Sequence, residues 1–61
     1  MSLHEDIVAT RKLIAKAESE RDTWRASGIQ EKYLEAYSMV EALELQLDGL
    51  RQAARRSGVM P

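Results

Sequence analysis

The chain has 61 residues, no cysteine, one histidine and a formal net charge of −1. That length allows one domain at most, and so small a chain buries little core unless disulfides, a metal or oligomerisation help it. The composition excludes disulfides, thiolate metal sites and an all-histidine site within one chain, and the balanced charge differs from the basic surface of a dedicated nucleic-acid or membrane-surface protein. Oligomerisation is the helper that remains.

No apolar run approaches the roughly 20 residues that cross a bilayer. The start, Met1 to Asp6, lacks the basic residues and apolar core of a signal peptide, so a cytoplasmic location is expected by default. Ala, Leu, Glu, Arg and Gln dominate, and the only proline is Pro61. The chain is therefore all-α by propensity.

The first helix starts at a capping box, with Ser2 as N-cap and Glu5 three residues on. Glu5 and Asp6 also suit the positive end of the helix dipole. Leu3, Ile7, Thr10, Ile14, Ala17, Arg21 and Trp24 then follow at alternating steps of four and three, the spacing of one packing face. Leu13 widens this stripe on one side, while Val8 and Ala15 form a weaker apolar edge elsewhere. Arg21 is the one charge on the line, and its aliphatic stem can follow the seam while its head reaches water or a carboxylate. Lys16 with Glu20, Glu18 with Arg21, and Asp22 with Arg25 are spaced for surface ion pairs.

At Ser27-Gly28 the helix is expected to break. Gly28 suits the left-handed position after a helix end, with Ile29 closing on Trp24. Ser27 with Gln30 also fits a capping box for a second helix, so two uses of Ser27 compete. The alternative, one long helix through Gly28, conflicts with heptad phase. Ile7, Ile14 and Arg21 extend by sevens to Gly28, Glu35, Ala42 and Gly49, whereas the second apolar line holds Tyr33, Val40, Leu47 and Ala54. The lines differ by two residues, about 160° around an unbroken helix, and neither a four-residue nor a three-residue insertion in the heptad pattern absorbs that offset.

The second helix presents Tyr33, Ala36, Val40, Leu43, Leu47, Leu50 and Ala54 on its main stripe, flanked by Tyr37 on one side and Met39 on the other. Leu34 and Leu45 lie on its back. Ser38, Ala42, Gly49 and Ala53 make a line of small residues that allows close approach of another helix. This apolar surface exceeds what one partner helix covers. Acidic residues lead and Arg51, Arg55 and Arg56 follow, in keeping with the dipole. Gly58 reads as the stop, with 57–61 frayed.

Little chemistry is encoded. Glu41, Glu44 and Asp48 share one side of the second helix, but the first helix offers no matching ligand pair on its packing face, and His4 stands at the wrong end, so no metal is expected. There is no nucleophile–base set and no glycine-rich phosphate loop, so neither catalytic residues nor a cofactor are expected. Two basic groups exist: Arg11, Lys12 and Lys16 on the first helix, and Arg51, Arg55 and Arg56 at the end of the second. In size and plan the chain resembles the Rop-type RNA-binding helical-hairpin dimers. The resemblance covers the hairpin layout alone and carries over no binding residue.

The sequence thus predicts a single all-α domain, an antiparallel two-helix hairpin over about 3–26 and 30–56, dimerising into a four-helix bundle. Leu3, Ile7, Leu13, Ile14, Ala17 and Trp24 are expected to pack against Tyr33, Ala36, Val40, Leu43, Leu47 and Leu50. The Ser38–Ala42–Gly49–Ala53 line is the candidate dimer contact. Trp24, Tyr33 and Tyr37 gather near the turn, where they either seal the core or anchor a partner. The expected role is non-enzymatic self-association and protein–protein contact, as a structural or regulatory adaptor. The alternative is a Rop-like dimer binding RNA or DNA through the two basic groups.

Overall fold

The computed structural model describes residues 2–56. The chain is an antiparallel hairpin of two helices, α1 (Leu3–Ser27) and α2 (Gln30–Arg56). Its principal extents are 45 × 15 × 14 Å. The expected stop at Gly58 and the frayed 57–61 segment lie outside the described residues.

The start of α1 follows from local hydrogen bonding. Ser2 is extended, its hydroxyl accepts from the Glu5 N–H at 3.1 Å, and the Glu5 carboxylate accepts from the Ser2 N–H at 3.3 Å. Both bonds satisfy amides that a helix N-terminus leaves without partners. At the other end Gly28 adopts φ 74°, ψ 11°, and its N–H donates to the Arg25 carbonyl at 3.2 Å. The Ser27 hydroxyl donates back to the Thr23 carbonyl at 2.9 Å. Ser27 therefore belongs to α1, and the capping-box reading for α2 loses the competition. Ile29 keeps 47% of its surface exposed beside the turn, and its carbonyl accepts the first bond of α2, from the Tyr33 N–H at 3.0 Å.

Between the helices, Ile7, Ile14, Ala17, Val40, Leu47 and Ala54 are buried. Ile7, Ile14, Leu47 and Ala54 form one cluster, with Leu3, Leu43 and Leu50 packed against it. Thr10 lies in the same seam at 2% exposure; its hydroxyl donates to the Asp6 carbonyl at 2.8 Å and accepts from Gln46 Nε2 at 3.3 Å. This bond ties α1 to α2 and removes the cost of an unpaired buried hydroxyl. Arg21 is half-buried on the seam, with Nε 3.5 Å from Asp22 Oδ1, so its stem packs while its head finds a carboxylate. Leu13 departs from the expected core: it is 51% exposed, because it stands about 70° off the α1 packing line and α2 does not reach it.

The two described glycines respond oppositely to alanine. Neither has an atom within 4 Å of where a Cβ would sit, so backbone preference decides. Gly28→Ala, at positive φ, is expected to cost about 1 kcal/mol. Gly49→Ala, inside α2, is expected to gain about 1 kcal/mol. Urea melts of the two variants check this, and shifts of the same sign would contradict the assignment.

Candidate functional site

With no pocket chemistry expected, the candidate site is the surface that the hairpin leaves uncovered. The helix phases divide that surface. Because α1 and α2 run antiparallel, residues displaced in the same rotational sense from each packing line fall on the same side of the hairpin. One side is charged. An open cleft of about 550 Å³ lies there over Ile14 and Leu47, edged by Arg11, Glu41, Glu44, Asp48 and Arg51 and by the back residue Leu45. The other side carries Trp24, Ala36 and Met39, with Glu20, Lys32 and Glu35 around a second hollow. Leu13 and Gln46 are displaced towards this second side from their own packing lines.

Of the expected interface residues, Ile7, Ile14, Ala17, Val40 and Leu47 are buried, and Leu3, Trp24, Tyr33, Leu43 and Leu50 are half-buried. Those ten therefore line the contact between the chain's own helices or its margin. The small-residue line runs from the Met39 side round towards the back of α2: Ser38, Ala42 and Gly49 are exposed, and Ala53 is half-buried. Gly49 approaches nothing within 4 Å at its Cβ position, so no close helix contact is made there within the chain.

The aromatic residues gather at the turn. Tyr33 and Tyr37 rings are 6.1 Å apart at 46°, and the Arg25 guanidinium carbon sits 5.9 Å from the Tyr33 ring centre. Trp24 and Tyr33 are half-buried, with Arg25, Gly28 and Gln30 around a small hollow between them. Tyr37 is 43% exposed. Its phenol is held above its ordinary value of 10.0, first because the Glu41 carboxylate accepts its proton in a hydrogen bond, and also because that charge repels the phenolate. The protonated phenol is thus the form the fold favours; any linked stability is present below pH 10 and lost as pH rises through the raised value. Glu41→Gln is expected to bring the Tyr37 titration back towards 10.0, read from its ring resonances by NMR. An unmoved titration would contradict the Glu41 contact.

Of the three ion pairs expected on α1, Asp22–Arg25 closes at 3.6 Å, and Lys32–Glu35 adds another at 3.7 Å on α2. Exposed pairs of this kind stabilise little. The basic groups are split. Arg11 and Arg51 meet at the charged cleft with Glu41, Glu44 and Asp48, while Lys12, Lys16, Arg55 and Arg56 are exposed. Three carboxylates between two guanidinium groups weaken the field a phosphate backbone would meet. Among the described residues no cluster of His, Cys, Asp or Glu is arranged to hold a metal ion, and no helix is long and apolar enough to cross a membrane.

Two features escape the sequence reading. Gln46 is the partner of Thr10 across the seam. Its place was available in principle, since a turn at Gly28 sets residues whose numbers add to about 57 at one level. The uneven division of the flanks is the second; it requires the phases of both helices taken together. The chain matches no protein family, no curated protein and no solved structure.

Proposed function

We propose that this protein is a non-enzymatic helical-hairpin module that self-associates into a four-helix bundle and acts through protein–protein contact, as a structural or regulatory adaptor in the cytoplasm. The observation that carries the reading is the thinness of the core beside the apolar surface left outside it. Among the described residues no large side chain is completely buried, while Leu13, Leu34, Met39 and Leu45 are each more than half exposed. Single exposed leucines are ordinary. A two-helix unit with so shallow a core is not, because small domains need a further source of burial, and this one has no cysteine to staple it. Burial against a second hairpin supplies it.

Sedimentation equilibrium tests this reading. At micromolar concentration the expected mass is twice the 6.9 kDa of the chain. A folded species at the single-chain mass would count against it. The nucleic-acid alternative has weaker support, since Arg11 and Arg51 share their cleft with three carboxylates; retardation of RNA or DNA at low salt would revive it.

A further inference from the structure

We infer that the Thr10–Gln46 pair sets the rotational phase in which α1 and α2 meet, and that it does so whether the chain self-associates or not. Apolar pattern alone leaves that phase open. Leu13 and Met39 are 51% and 55% exposed, and each stands about 70° off its packing line on the same flank of the hairpin. Turning both helices by about 40° about their own axes would bring that flank into the seam. Leu13 and Met39 would enter, Ile7 and Val40 would move to the edge, and Leu43 and Leu50, which already pack on the core, would stay between the helices. The turned seam is again built of large apolar side chains. Hydrophobic burial follows area and has no direction, so it does not choose between the two settings.

The polar pair does choose. Thr10 is 2% exposed within the seam; its hydroxyl donates to the Asp6 carbonyl at 2.8 Å and accepts from Gln46 Nε2 at 3.3 Å. Gln46 is exposed, about 90° off the α2 packing line. From that edge its amide nitrogen reaches Thr10 while the rest of the side chain keeps its water. The 40° turn would carry Gln46 to about 50° from the line and draw its amide out of water, a penalty that polar groups pay when burial leaves them without partners. The opposite turn would take Gln46 to the back of α2 and break the bond. Stability alone does not account for the pair. Valine has nearly the shape of threonine, and an exposed Gln46 released from Thr10 would bond to water, so losing the bond strands no buried polar group. Fixing register at some cost in stability is the best-attested use of a polar group in a helical seam.

Relaxation-dispersion NMR on the seam amides tests this. Gln46→Leu, and the double variant Thr10→Val with Gln46→Leu, are expected to remain helical and to melt no lower than the wild type. Both are expected to populate the turned setting about tenfold more or beyond, the factor that one removed desolvation penalty supplies. It is read as dispersion or a second set of peaks, with new nuclear Overhauser contacts between Leu13 and Leu43. Thr10→Ser, which keeps the hydroxyl and loses a buried methyl, is expected to melt lower and stay in one setting. An ordinary structural bond gives the reverse, a lower Tm and an unchanged single setting when Gln46 is replaced. Flat dispersion with wild-type contacts in Gln46→Leu and in the double variant overturns the proposal. So does exchange that grows with protein concentration, since it reports association and not rotation. Should the double variant fail to fold, Gln46→Leu carries the test alone, because the replaced side chain is exposed.

Discussion

Val40→Glu is expected to unfold the hairpin. Val40 retains 3% of its surface exposure and stands midway along α2, facing α1. The substitution removes a buried side chain worth about 1.5–3 kcal/mol. It also places a carboxylate without a partner in the seam, a further cost of about 3–5 kcal/mol. The nearest cation on the packing line, Arg21, lies one turn towards the loop and has its guanidinium at Asp22. A chain of this length has a total stability of about 3–9 kcal/mol, so the combined loss takes most or all of it. Far-UV circular dichroism at neutral pH is expected to show a largely unfolded chain, with helicity partly recovered near pH 4 as the new carboxyl protonates. A melt like the wild type would mean that Val40 does not face α1.

Ile7→Ala follows in magnitude. Ile7 is 4% exposed and clusters with Ile14, Leu47 and Ala54. Removing it forfeits the transfer energy of the lost methylenes and opens a cavity, together about 3 kcal/mol. For a domain this small each kcal/mol moves the Tm by about 4–8 °C, so a fall of well over 10 °C is expected. Leu45→Ala is the control. At 72% exposure it is expected to change stability by about 0.5 kcal/mol or less. Equal losses at Ile7 and Leu45 would place the α1–α2 contact on the wrong face.

The hairpin itself was legible because two independent signals agree. The two-residue phase offset between the Ile7–Ile14 and Val40–Leu47 lines excludes a continuous helix, and Gly28 supplies the left-handed residue a turn needs. Each stripe then has one partner within the chain, so every buried residue among those described, Thr10 included, falls on a position at alternating threes and fours. What periodicity does not convey is how wide a stripe its partner covers. Leu13 sits about 70° from the centre of its stripe, a distance at which burial depends on the neighbour rather than on spacing. Ser27 was undecided for a different reason: its hydroxyl has two hydrogen-bonding uses of similar energy, and only the geometry of the turn chooses between them. The surface ion pairs follow the same rule, since exposed pairs gain too little for spacing alone to close them.

The candidate site was less legible than the fold. The small-residue line is visible in the sequence because its pattern runs along one helix. The Leu13–Met39 flank is assembled from two helices, and neither alone shows a stripe there. Its apolar character emerges only when Leu13 and Trp24 of α1 are set beside Met39, Leu43 and Leu50 of α2 on one side, with the Arg11–Glu44–Arg51 charges on the other.

The central claim is that the isolated hairpin is incomplete and gains its stability from a second copy. Thermal unfolding followed by circular dichroism over a hundredfold range of protein concentration tests it most directly, because association with the folded state makes Tm depend on concentration. The expected result is a Tm that rises with concentration, with helicity falling in the most dilute samples. A fully helical chain whose Tm is the same at every concentration would contradict the claim.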